Sequence, residues 1–237
     1  MGEPALILLH GFGGRLDEWE KIIPMFPENR VIALDLLGFG GSDRPAVSYD
    51  LETQRLYLQA FLEKLGVRRA VLAGRSMGAS LAAWTAAISG EQTVGLVLIA
   101  PSAYPGSLTY PWPLSWIFKP GFWNQIGAFF VDNVFFRKLF PFSTAPQGVT
   151  VTRSYNSEFG AALKEIDQPT LLIWSKGDTT VPFRYSLAYL DSIPDVDLLE
   201  IPESVGHAVT RKYPEGTAAG METFLAKLQN TSPRVAD

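Results

Sequence analysis

Cysteine is absent from the 237 residues, and histidine occurs only twice, as His10 and His207. The first absence excludes disulfides, thiolate metal sites and a cysteine nucleophile together. It also fits a cytoplasmic protein, where thiols do no structural bridging. The second reduces the search for a general base to two positions. Long apolar runs are missing too: no stretch approaches the ~18 uninterrupted apolar residues of a membrane-spanning helix. The start, MGEPALILLHGFGG, carries an acid at Glu3 and one short apolar run, Ala5–Leu9, so no secretory signal is expected. Charge of one sign is scarce. Twenty Lys and Arg against 24 Asp and Glu give a net charge of −4, without the concentrated basic surface that nucleic acid requires.

What is present is an alternation of short apolar runs with longer segments of helical period. Strands are expected at Leu6–Leu9, Val31–Leu34, Ala70–Ala73, Gly95–Ala100, Thr170–Trp174 and Leu198–Ile201. Each is apolar nearly throughout, as strands covered on both faces are. Helices are expected at Tyr49–Leu65, Met77–Ser89, Arg184–Ser192 and Gly216–Gln229. The first places Leu58, Phe61, Leu62 and Leu65 on one face and stops at Gly66. This rhythm describes a parallel sheet with right-handed crossovers, whose functional loops leave the carboxyl ends of the strands. One segment breaks it. Tyr104–Phe142 holds 13 of the chain's 29 aromatic residues, and between Ser102 and Phe136 only Lys119 and Asp132 are charged. It reads as a helical insertion, a cap or lid over the sheet.

The run Ala70–Ala73 leads into Gly74-Arg75-Ser76-Met77-Gly78 and then an alanine-rich helix. A G-x-S-x-G between strand and helix forces a tight turn that lifts the serine hydroxyl above the sheet. Serine is a weak nucleophile until a base takes its proton. His207 stands on the loop after the last strand and is the candidate base. His10 precedes Gly11-Phe12-Gly13-Gly14 and reads as a hydrogen-bonded structural imidazole. An imidazole base needs a carboxylate to fix its tautomer. Asp178, in the glycine-containing loop after the fifth strand, is the only carboxylate there and lies between serine and histidine in chain order.

Taken together these blocks resemble the α/β-hydrolase superfamily, in particular its lid-bearing esterases, lipases and carbon–carbon bond hydrolases. His10–Gly14 is similar to the oxyanion loop, Asp35–Pro45 to the turn after the next strand, Gly74–Gly78 to the nucleophile elbow, Asp178 to the acid and Gly206-His207 to the base. The resemblance implies an α/β-hydrolase fold with a mainly parallel sheet of about six strands, the family's first two being absent and one edge more exposed. The core would span residues 1–101 and 166–237, with the aromatic cap at 102–165. It also implies an oxyanion hole from the backbone N–H groups of Phe12 and Met77, with no metal or organic cofactor. Asp35 and Ser42 read as structural residues of their turn. Arg75 departs from the His or Asn usual before the nucleophile: it either braces loops or binds an acidic substrate group.

The expected substrate is a small-molecule carboxylic ester with an apolar acyl or alkyl part, cleaved through an acyl-serine. A vinylogous diketone cleaved at a carbon–carbon bond is the alternative, with lactone and perhydrolase chemistry beside it. From other classes come a ligand-binding pseudoenzyme and an aromatic surface for a membrane or partner. The Asp nucleophile of epoxide hydrolases and haloalkane dehalogenases is excluded by Ser76.

Overall fold

A computed structural model describes residues 3–107, 151 and 154–231. Six strands, β1 (Ala5–Leu9), β2 (Val31–Leu34), β3 (Ala70–Arg75), β4 (Thr93–Ile99), β5 (Thr170–Ser175) and β6 (Val196–Ile201), form one sheet in the order β2-β1-β3-β4-β5-β6. Every pairing is parallel, with β1 set between β2 and β3 (Leu8 opposite Ala33 and Ala73). The six-stranded parallel expectation holds. Side-chain alternation explains the apolar runs. Ile7, Leu72, Leu98 and Trp174 enter one core, while Leu8, Val71, Val97 and Ile173 enter another on the opposite face. Each such side chain withdrawn from water contributes about 1.5–3 kcal/mol before chain entropy is counted.

Helices α1 (Leu51–Lys64), α2 (Met77–Ser89), α3 (Ser157–Ala162) and α4 (Ser186–Ser192) are followed by the short α5 (Val209–Lys212) and α6 (Pro214–Thr231). Asp50 caps α1 by accepting the Thr53 N–H at 2.8 Å. At the other end Gly66, at φ 65°, lets its own N–H reach Glu63 O and the Val67 N–H reach Leu62 O, both at 3.0 Å. This is the six-to-one and five-to-two pair of a Schellman motif, and it satisfies the last carbonyls at the expected glycine.

The apolar face expected on α1 is only partly buried. Leu58 and Leu62 enter the core, but Phe61 and Leu65 are 36% and 41% exposed, beside a β2 that is half-buried along its whole length. They sit at the β2 edge of the sheet, where no further layer of the described residues covers them. A groove of about 690 Å³ at this edge is lined by Leu34, Tyr57 and Phe61 and by none of Ser76, Asp178 or His207. Most of the cap expected at 102–165 lies outside the described residues, which omit 108–150, 152 and 153.

Candidate active site

Ser76 links β3 to α2 at φ 53° and ψ −115°, a conformation that side-chain-bearing residues avoid. The surroundings hold it there. Its N–H extends the sheet to Ile99 O at 2.8 Å, and its carbonyl receives the Ser80 N–H at 3.0 Å and the Ser80 hydroxyl at 3.1 Å. The flanking glycines have a steric reason. A Cβ on Gly74 would stand 2.3 Å from Gly78 C and O, and one on Gly78 would stand 2.3 Å from Leu9 O. The N-terminus of α2 thus presses against the ends of β1 and β3, and only glycine permits the approach.

Asp178 and His207 come from loops farther along the same carboxyl edge, after β5 and β6. The His207 Nδ1 and Asp178 Oδ2 atoms are 2.6 Å apart, and the Asp178 side chain is fully buried. Its other oxygen accepts the Thr180 and Val181 N–H groups, each at 2.9 Å. A carboxylate so bound is an acceptor at both oxygens, so Nδ1 carries the shared proton and Nε2 presents a lone pair. The two loops are clipped together by Ser175. Its hydroxyl donates to Pro202 O at 2.8 Å and accepts the Gly206 N–H at 3.1 Å. Among the described residues Ser76 Oγ makes no hydrogen bond to His207, and apo sites commonly close that contact only with substrate bound.

The loop after β1 is fixed by His10, which is wholly buried. Its Nε2 accepts the Leu36 N–H at 3.0 Å, so the ring proton sits on Nδ1 and donates to Gly11 O at 2.7 Å. The Gly14 N–H donates to the same carbonyl at 2.9 Å. Because the Gly11–Phe12 peptide is planar and trans, pinning that carbonyl aims the Phe12 N–H the opposite way. Neither the Phe12 nor the Met77 N–H has a hydrogen-bond acceptor among the described residues. The Phe12 ring is 43% exposed and meets buried Phe39 edge-on at 5.4 Å. Asp35 and Ser42 hold the neighbouring turn, as expected: Asp35 accepts the Leu16 and Gly41 N–H groups, each at 2.7 Å, and Ser42 Oγ donates to Asp35 O at 2.6 Å.

Burial lowers the His10 pKa below its ordinary 6.5, against the upward pulls of the Gly11 carbonyl, Glu18 and Asp35. The unfolded chain therefore binds the proton more readily than the native one. Stability is full above 6.5 and falls as pH drops below it, towards the native value. We expect the thermal midpoint to fall further between about pH 7.5 and about pH 5.5 in the wild type than in His10→Gln. Equal slopes in calorimetry would refute the neutral, doubly bonded imidazole.

Arg75 turns to Glu18, with which it forms a buried ion pair; their side chains are 17% and 2% exposed. Glu18 and Ser175 were not legible as site residues, because each acts through partners far away in the chain. A model of the alpha/beta hydrolase family matches residues 6–219. The chain belongs to that family. Among relatives of this hydrolase is the dihydrolipoyllysine-residue acetyltransferase component of the acetoin cleaving system of Pseudomonas putida. It is 26% identical over 95% of this chain, which spans 64% of that relative's length. Monoacylglycerol lipase abhd6-A of Xenopus laevis is 25% identical over 96% of this chain and 77% of its own. The crystal structure of a membrane phospholipase A, described as a bacterial virulence factor, superposes with a TM-score of 0.72 at 28% identity. That match covers 96% of this chain and 80% of the other.

Proposed function

We propose that this hydrolase cleaves carboxylic esters with an apolar acyl or alkyl part through an acyl-serine intermediate. The observation that carries the reading is the 2.6 Å contact between His207 Nδ1 and buried Asp178, placed on the same sheet edge as the strained turn at Ser76. Ser76 Oγ attacks the carbonyl carbon as His207 Nε2 takes its proton. Asp178 holds the imidazole in the tautomer that can do so and stabilises the imidazolium that forms. The negative oxygen of the tetrahedral intermediate accepts the Phe12 and Met77 N–H groups, each of which contributes about 3 kcal/mol to transition-state stabilisation. His207 then gives its proton to the leaving alkoxide. Water, deprotonated by the same imidazole, releases the acid from Ser76.

This sequence uses neither a metal nor an organic cofactor. Two relatives named for lipid-ester cleavage support an apolar acyl part, and the exposed Phe12 ring offers an apolar wall at the oxyanion loop. Arg75 is assigned to bracing rather than substrate binding, since its guanidinium is already paired. The argument from Arg75 for an acidic diketone substrate is correspondingly weaker. The test is a panel of chromogenic esters graded by acyl length, with one vinylogous diketone included. We expect ester turnover that rises with acyl length; cleavage of the diketone alone would overturn the reading.

A further inference from the structure

One buried carboxylate touches all three parts of the proposed machinery. Glu18 Oε2 accepts the Gly11 N–H of the oxyanion loop at 3.0 Å. Its Oε1 accepts the Thr210 hydroxyl at 3.2 Å, and Thr210 lies in α5, the helical turn directly after His207. Both oxygens face the guanidinium of Arg75, the residue before Ser76; Arg75 Nη2 is 3.2 Å from Oε2, and Nε bonds Oε1. The loop is moulded to this pair. A Cβ on Gly11 would stand 2.7 Å from Arg75 Nη2, and one on Gly14 would stand 3.0 Å from Glu18 Oε2. Burial raises the Glu18 pKa, but the Arg75 hydrogen bond and charge and the Gly11 N–H outweigh it, so the group stays ionised at neutral pH.

We infer that Glu18 is a positioning residue that sets the oxyanion loop, the nucleophile elbow and the histidine segment in register with one another. The inference rests on the proposed serine mechanism. A buried ion pair contributes little net stability compared with apolar residues of similar volume. Its place here is better explained by geometry: a carboxylate with two oxygens accepts donors from three chain segments that no apolar side chain could gather. Misplacement of a reacting group by about 1 Å costs on the order of 100-fold in rate, so slack in this joint is read directly in catalysis.

The experiment compares wild type, Glu18→Gln, Thr210→Val and the double variant Glu18→Gln/Arg75→Met. It measures the rate of Ser76 labelling by a serine-directed phosphonate, ester kcat and KM, and the thermal midpoint. For Glu18→Gln we expect labelling and kcat to fall about 10- to 100-fold with KM within about twofold, and for Thr210→Val a smaller loss of the same kind. In the double variant the midpoint returns towards the wild type, because no uncompensated charge remains, while labelling stays slow. Labelling that recovers together with stability assigns Glu18 a merely structural role and overturns the inference. Unchanged labelling in Glu18→Gln and Thr210→Val overturns it as well and leaves the serine mechanism standing. A wild-type protein whose Ser76 is inert to the phosphonate overturns both.

Discussion

Ser76→Ala is expected to lower ester turnover about a millionfold, to the level that binding and the oxyanion donors alone sustain. The fold should not register the change. Ser76 Oγ bonds neither His207 nor any other described side chain, and the turn is held by main-chain contacts to Ile99, Ser80 and Ser102. Alanine suffers at φ 53° as serine does, so the strain is common to both proteins. The check is a pair of measurements on one preparation. Intact mass spectrometry should show a single phosphonate adduct on the wild type and none on the variant, and circular dichroism melts should coincide. Labelling of the variant at another serine, or retention of turnover, would dismiss Ser76 as the nucleophile.

Asp178→Asn should lower kcat by about ten-thousandfold without unfolding the protein. The geometry dictates how. Oδ1 receives two backbone N–H groups, so an asparagine must place its carbonyl oxygen there and its NH2 towards His207. The imidazole can then only accept at Nδ1, its proton moves to Nε2, and the nitrogen proposed to take the Ser76 proton becomes a donor that cannot serve as base. Steady-state kinetics and a thermal melt decide it: more than about a tenth of the activity remaining would remove Asp178 from the mechanism.

Legibility in the sequence followed burial. β1, β3 and β5 are covered on both faces, so apart from the ends of β3 and β5 their residues are apolar, and their positions could be read to within one or two residues. The edge strand β6 begins two residues before the expected Leu198, because Asp197 and Glu200 face solvent and pair there with Lys227 and Lys176. An acid directly before Leu198 imitates a loop boundary. The exposure of Phe61 and Leu65 had a similar origin: helical period predicts a common face but not where the underlying sheet stops.

At the site, residues acting through a local turn or a chemical pattern were legible, among them Ser76, His207, Asp178 and the His10 loop. Glu18 was not, since its partners Arg75 and Thr210 lie 57 and 192 positions away. Nothing in the string Leu16-Asp17-Glu18-Trp19 marks the second acid as buried and the first as exposed. Long-range polar satisfaction leaves no periodic trace in a sequence.

Ser80 carries a consequence of another kind. Its hydroxyl, besides holding the elbow, accepts the Ser102 and Ala103 N–H groups at 2.9 Å each. Ser102 Oγ in turn meets Tyr155 OH at 2.9 Å. Ser102, Ala103 and Tyr155 are therefore joined at one suture, fastened to the helix that presents the nucleophile. Two stretches of chain 53 positions apart, at Ser102 and Tyr155, thereby share one anchor with the nucleophile.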